Sequence, residues 1–115
     1  MNSYRATEMQ VIQWAQDRQI IPNSTPMAQA IKTKEEVGEL FDALMTKDHA
    51  ALRDAYGDIL VTLIIGAALA DVDLVDCLND AYNEIKDRKG HLNAAGIFVK
   101  ETALDQMVPN AKKTP

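Results

Sequence analysis

The stretch from Ile59 to Ala70 restricts the possible folds of this 115-residue chain more than any other feature. Apart from Thr62 and Gly66, all its residues are apolar. It is too short to span a bilayer, which takes about 20 apolar residues, so we interpret it as part of a core helix. A helix that is apolar on nearly every side must be covered all round. A chain of this length can hardly cover it alone, and we therefore expect oligomerisation.

The composition favours a single domain built from helices. Hydrophobic residues make up 47% of the chain and aromatic residues only 5%. Ala, Leu and Ile supply much of the apolar content. This mixture suits helices better than sheets. The single cysteine, Cys77, excludes a disulfide within the chain and favours a reducing compartment, and its neighbours suggest a buried side chain. No apolar stretch of the signal-peptide type follows Met1, so we expect a cytoplasmic protein that does not associate with membranes.

The formal net charge is −5. An acidic surface repels the phosphate backbone, so we do not expect a nucleic-acid partner. An acidic protein can nevertheless bind a triphosphate when divalent cations lie between the two sets of negative charges.

Four main helices are predicted, over about residues 3–18, 26–45, 48–70 and 73–89. Each starts at a residue that can cap a helix N-terminus; these are Ser3, Thr25, Asp48 and Asp73. Pro26 suits the first helical position, whereas Pro22 disfavours helix at Ile21. These features predict an all-α fold.

The end of the fourth helix is marked by cationic residues and a glycine. Lys86, Arg88 and Lys89 are predicted to lie in its last turn, where they complement the helix dipole, and Gly90 ends it. Residues 96–100 are expected to be extended or to dock elsewhere. We expect the domain to cover residues 1–100 and residues 101–115 to form a partly disordered tail.

Three glutamates form the first acidic cluster, in the second predicted helix. Glu36 and Glu39 are three positions apart and Glu35 and Glu39 are four apart, so these pairs share a helical face. Like charges there repel each other, and a divalent cation offsets the repulsion, since Mg²⁺ prefers carboxylate and water ligands. A solvated acidic face paired to nearby lysines is the alternative interpretation.

Asp54 and Asp58 form a second acidic pair on one face of the third helix. An acid at the edge of a buried segment needs a partner. If the second and third helices pack antiparallel through a turn near Lys47, the two acidic clusters meet. Neither His49 nor His91 follows a glutamate at di-iron spacing, so oxygen ligands alone remain, and these point to Mg²⁺ or Mn²⁺.

The sequence resembles a known family in several segments taken together. Glu35-Glu36-x-x-Glu39 followed by Gly57-Asp58 and a long apolar helix resembles the all-α nucleoside triphosphate pyrophosphohydrolases of the MazG type. The segments that strengthen the resemblance are Gln29-x-x-Lys32, Asn83-x-x-Lys86 with Arg88-Lys89-Gly90, and Trp14-Ala15-Gln16-Asp17-Arg18. They occur in the family's order and cover residues 11–90.

The resemblance implies an enzyme that hydrolyses a nucleoside triphosphate to the monophosphate and pyrophosphate with Mg²⁺, in nucleotide pool control or house-cleaning. It implies metal binding by Glu36, Glu39 and Asp58 and a water-activating role for Glu35. It also implies phosphate contacts from Lys32, Asn83, Lys86 and Arg88, and a homodimer or homotetramer whose helices complete a MazG-like bundle.

One position departs from the family pattern. The second cluster of the family reads Glu-x-x-Asp, and Ala55 occupies the Glu position here. Asp54 lies about 100° away around the helix and is our candidate for a replacement ligand. The alternative is a MazG-like binding or regulatory module with weak or no activity. Trp14 is the candidate for stacking on a nucleobase, with core packing as its alternative role.

Overall fold

The computed structural model describes residues 3–102 and Leu104. Contacts divide the chain into two compact units, Met1–Cys77 and Leu78–Pro115. In the described residues, the helices are α1 (Tyr4–Asp17), α2 (Ile20–Asn23), α3 (Pro26–Thr46), α4 (His49–Leu69) and α5 (Leu74–Ile85), and the strands are β1 (Gly90–Leu92) and β2 (Phe98–Lys100). Four of the helices are the long ones that the sequence predicts. None of these helices is long and apolar enough to cross a membrane.

The predicted capping residues begin all four long helices. Each side-chain oxygen accepts a hydrogen bond from a backbone N–H in the first turn, which satisfies a donor that has no partner within the helix. The caps are Ser3 to Ala6, Thr25 to Ala28, Asp48 to Ala51, and Asp73 to Val75 and Asp76. Pro26 occupies the first position of α3, as predicted.

Helices α3 and α4 form an antiparallel hairpin with the most extensive contact between any two described elements. The turn is at Lys47, which adopts a left-handed conformation with φ of 55°. Farther along the hairpin, the hydroxyl of Thr33 lies 2.8 Å from that of Thr62. This register places the acidic segment of α3 opposite that of α4.

The core of the first unit is small. Its buried apolar residues come from α1, α3 and α4 and are Ala15, Ala43, Ala55, Ile64 and Ile65. The apolar segment of α4 is not covered all round by one chain, since Leu60 is 46% exposed and Leu63 is 40% exposed.

Helix α2 corrects the prediction that Pro22 keeps Ile21 out of a helix. The helix begins after Gln19, which has a φ of 65°, and Pro22 is its third residue. The first backbone N–H groups of a helix have no partner within it, so a proline in the first turn removes no hydrogen bond.

Two further predictions are wrong in the chain beyond the core of the first unit. Helix α5 ends at Ile85, before Lys86, and so carries no basic residue in its last turn. Gly90 does not end a helix but begins β1, which pairs antiparallel with β2. Gly90 is needed in this hairpin, where a side chain would collide with the carbonyl oxygen of Val99 and the ring of Phe98. Cys77 is exposed, not buried. The predicted tail, except residues 101, 102 and 104, lies outside the described residues.

Candidate active site

The structure brings together three of the four predicted metal ligands. Glu36 and Glu39 lie on one face of α3, and the α3–α4 register places Asp58 opposite them. Carboxylate oxygens of the three residues all lie within 4.8 Å of one another. Such proximity creates strong mutual repulsion, which a divalent cation can offset.

Glu36 is the buried member of this cluster. It is only 7% exposed, and its Oε2 has no hydrogen-bond partner among the described residues. A buried carboxylate oxygen without a partner is energetically costly. The pKa of Glu39 is raised, first by its hydrogen bond with Glu36 and then by their mutual repulsion. The unpartnered Oε2 of Glu36 and the raised pKa of Glu39 both indicate that the negative charge of the cluster exceeds the positive charge of the side chains around it.

Lys32 and Glu35 lie beside the cluster on the exposed side. The Nζ of Lys32 is 3.3 Å from Oε1 of Glu35 and 3.5 Å from Oε1 of Glu36. These contacts raise the pKa of Lys32, the hydrogen bond to Glu35 most of all. Among the described residues, Lys32 is the one cation in an ion pair with this acidic segment. The lysine-pairing alternative therefore accounts for Glu35 and one oxygen of Glu36, but it gives Glu39 and Asp58 no ion pair.

Asp54 faces a cavity that adjoins the cluster. This cavity of about 370 Å³ is lined by Glu39, Asp58 and Asp54, and also by Asp42. Sequence reasoning missed Asp42, although it lies three positions after Glu39 and therefore shares its helical face. Ala55 is 3% exposed and forms part of the wall, so the missing carboxylate of the family pattern corresponds to open space beside the cluster.

Trp14 lines two further cavities, each of which also contains a residue of the acidic cluster or its neighbour Lys32. It lines one of about 430 Å³ together with Asp58 and Gln10, and another of about 680 Å³ together with Lys32 and Gln29. The indole is 46% exposed. The guanidinium of Arg18 lies over the ring, 5.9 Å from its centroid, so a planar base that stacks on Trp14 shares the ring with Arg18 or displaces it.

The remaining predicted phosphate ligands belong to the second unit. Asn83 lies on α5, whereas Lys86 and Arg88 follow its last residue, and all three are exposed. The guanidinium of Arg88 is 3.9 Å from Glu84. Their participation in a site with the acidic cluster stays a prediction.

Residues 25–93 match the family model of the MazG nucleotide pyrophosphohydrolase domain. This chain belongs to that family. The matched range begins at the cap of α3, contains every predicted metal and phosphate ligand, and excludes Trp14. The family assignment made from the sequence is thereby confirmed.

Two proteins similar to this MazG chain extend the comparison. An uncharacterized 18.2 kDa protein from the rep-hol intergenic region of Haemophilus phage HP1 is 38% identical over 63 residues, which is 55% of this chain and 39% of that protein. The chain therefore spans about two fifths of the relative's length.

The second is a solved structure, the cyanophage S-2L MazG-like pyrophosphohydrolase bound to dGDP and three catalytic Mn²⁺ ions per active site. Its TM-score is 0.67 at 18% identity, and the match covers 89% of this chain and 96% of that chain. At this level of identity the likeness shows a common fold, and it confirms the predicted MazG-like helical architecture.

Proposed function

We propose that this MazG domain is a nucleoside triphosphate pyrophosphohydrolase that requires a divalent cation, Mg²⁺ with Mn²⁺ as a substitute. It converts an NTP or dNTP and water to the monophosphate and pyrophosphate. The observation that carries the proposal is the convergence of Glu36, Glu39 and Asp58 within 4.8 Å. A MazG-like relative bound to dGDP and Mn²⁺ and the matching family model support it.

The residues present fit a hard divalent cation. The donor set consists of carboxylate oxygens, which Mg²⁺ and Mn²⁺ prefer, and the buried Oε2 of Glu36 lacks a protein partner. Glu36, Glu39 and Asp58 would hold the cation, with Asp54 as a further ligand from the adjoining cavity. When bound, the cation neutralises phosphate charge and polarises the reacting phosphoryl group.

The chain's own groups account for the other requirements of the reaction. Glu35 accepts a proton from the attacking water, whose oxygen bonds to the α-phosphorus while the bond from that phosphorus to the bridging oxygen breaks. Lys32, beside Glu35, binds the phosphates. Asn83, Lys86 and Arg88 supply further phosphate contacts in this proposal.

Trp14 is proposed to stack on the base. Its exposed ring lines cavities that also include Asp58 or Lys32, so one nucleotide can contact the ring and the charged residues together. Hydrolysis of this kind fits nucleotide pool control or house-cleaning in the cytoplasm, with residues 1–100 as the catalytic domain.

A homodimer or homotetramer is the proposed assembly. Leu60 and Leu63 on α4 remain substantially exposed in one chain, and large exposed apolar faces mark interaction sites. A second copy is expected to complete the helical bundle.

The second candidate function is a MazG-like binding module with weak or no activity. Ala55 favours it, because the wall of the acidic cavity lacks a carboxylate there. Such a module would bind metal and nucleotide without turnover, so metal binding alone does not separate the two functions.

A product screen separates them. Purified protein is incubated with a panel of NTPs, dNTPs and dGDP in Mg²⁺, Mn²⁺ or EDTA, and pyrophosphate and orthophosphate are measured separately. We expect pyrophosphate from a triphosphate only with metal. Glu36→Gln should lower kcat about a hundredfold or more, which corresponds to roughly 3 kcal/mol of charge stabilisation.

Asp17→Asn on α1 is the matched control, since it removes one exposed carboxylate while the acidic cluster stays intact. Helicity and melting temperature confirm that each variant is folded. Orthophosphate from dGDP alone would overturn the triphosphate assignment, and metal and nucleotide binding without any product would favour the binding module.

A further inference from the structure

A separate cavity of about 380 Å³ lies between α1, the end of α4 and the start of α5 within the first unit. Its apolar walls are Met9, Ile12, Ile64, Ala67, Ala68, Val72 and Leu74, and its charged lining residues are Arg5, Glu8, Asp71 and Asp73. None of these residues belongs to the acidic cluster. The volume falls at the small end of the range for ligand sites, roughly 300–1,000 Å³.

Glu8 is the unusual residue of this cavity. It is 3% exposed, and its Oε1 accepts a hydrogen bond from Nη1 of Arg5 at 2.6 Å. Its Oε2 has no hydrogen-bond partner. Burial and the nearby Glu8 carboxylate raise the pKa of Tyr4, but no donor meets hydrogen-bond geometry at Oε2 of Glu8. A buried carboxylate oxygen in this state lacks a donor.

Arg5 directs no N–H group at that oxygen. Its Nη2 lies 3.1 Å from both carboxylate oxygens of Asp73, and Asp73 in turn accepts the backbone N–H groups of Val75 and Asp76. Asp71 takes part in no ion pair among the described residues. Among the described residues, Oε2 of Glu8 and the carboxylate of Asp71 are the acceptors of the cavity that receive no hydrogen bond. The lining carries three carboxylates against one guanidinium.

We infer that this cavity is a binding site for a small aliphatic amine cation, of which a short diamine is the best match. One ammonium group donates to Oε2 of Glu8 and the other to Asp71. The methylene chain packs on the apolar walls. A charge-assisted hydrogen bond to a buried carboxylate is stronger than one to a neutral group.

The site is tested on the whole chain by isothermal titration with 1,4-diaminobutane in EDTA, with no nucleotide present. Saturable binding is expected, with weaker binding of n-butylamine and none of butyrate. Glu8→Gln keeps the shape and the Arg5 contact but removes the charge, and should weaken binding about tenfold or more. Asp17→Asn makes the same charge change at an exposed site of α1 and should leave the affinity unchanged.

Ala68→Leu provides a second test that leaves every charge in place. The larger side chain fills the cavity and should abolish binding in a protein that is still helical and cooperative in melting. Glu36→Gln should bind the diamine as the wild type does, so the result is independent of the proposed hydrolase activity. Absence of binding to the wild type, or equal weakening by Glu8→Gln and Asp17→Asn, would overturn the inference.

Discussion

Glu36 shows how a single position separates a metal-binding interpretation from a solvated acidic surface. Glu35, next to it in sequence, is exposed and paired with Lys32, as an ordinary surface acid would be. Glu36 is buried with one oxygen unpartnered. The two adjacent glutamates point in different directions around α3. Lys32 pairs with Glu35 and with Oε1 of Glu36, so the metal proposal depends on the buried Oε2 of Glu36, which Lys32 does not satisfy.

Ala55 is the position where a carboxylate can be restored. We expect Ala55→Glu to lower the free energy of unfolding by about 1–3 kcal/mol without metal, because it adds a buried charge to an acidic cavity. With Mn²⁺ the same variant should bind the ion more tightly than the wild type, since it provides an additional ligand. Melting in EDTA and in Mn²⁺ measures both effects.

The neutral variant Ala55→Gln is the control, because it has nearly the same size and no charge. A metal-induced rise in melting temperature that is equal in Ala55→Glu and Ala55→Gln would show that the carboxylate at this position does not reach the ion.

Asp73 makes a pH-dependent contribution to stability. Its pKa is lowered from the ordinary value of 3.8, first by the hydrogen bond from Arg5 and then by the backbone N–H of Asp76. A lowered folded-state pKa means that the stabilisation is fully present above the unfolded pKa and is lost as pH falls through the folded value. Denaturant unfolding between about pH 2 and pH 5 should therefore depend less steeply on pH in Asp73→Asn than in the wild type.

Asp76→Asn is a suitable comparison, since it neutralises a nearby acid that does not contact Arg5. If its pH dependence changed as much as that of Asp73→Asn, the effect would reflect general charge repulsion and not the Arg5 contact.

At the scale of elements, the starts of the long helices follow from local chemistry. The side chain of Thr25 accepts the N–H of Ala28 at 3.0 Å, and Pro26 holds a backbone conformation suited to the first turn. We expect Thr25→Ala to lower the free energy of unfolding by about 1 kcal/mol through loss of the cap. Urea unfolding measures the change.

Thr7→Ala serves as the reference, because Thr7 lies within α1 and bonds back to the carbonyl of Ser3. It should change stability by less than about 0.5 kcal/mol. Equal effects of the two substitutions would show that the Thr25 hydroxyl has no capping role.

The end of α5 and the short β1–β2 hairpin are decided by contacts between residues that are not neighbours in the sequence. Glycine and basic residues predicted the end of α5 near Lys89, yet Gly90 lies in a strand paired with Lys100. The sequence around Gly90 is compatible with both a helix stop and a tight hairpin. Pairing with residues ten positions away decides between them, and this information is not local.

At the scale of the whole molecule, the exposed side of α4 is the basis for the assembly prediction. Tyr56, Leu60 and Leu63 are spaced at helical intervals and are all at least 40% exposed. We expect sedimentation to give a dimer or tetramer at micromolar concentration. Leu60→Lys combined with Leu63→Lys should shift the protein to smaller species, because charged groups are costly in an apolar interface.

Ala50→Lys tests whether added charge alone has this effect, since Ala50 is exposed in the first turn of α4. A wild-type protein that sediments as a monomer at all these concentrations would contradict the prediction.

The sequence by itself determined the helical class, the starts of the four long helices, the acidic faces of α3 and α4, and the family. These features depend on hydrogen bonds within one turn or on residue spacing along one helix, so neighbouring residues suffice to specify them. The meeting of Glu36, Glu39 and Asp58 was predicted only on the condition of an antiparallel hairpin.

Only the tertiary structure decided which acids converge and which one is buried. It placed Asp58 with Glu36 and Glu39, and Asp54 with the unpredicted Asp42 in the adjoining cavity. It also placed Trp14 and Asp58 in the lining of one cavity. It also buried Glu8 with an unpartnered oxygen. The physical reason is that distances between helices follow from their register and packing, and one helix does not carry the register of another.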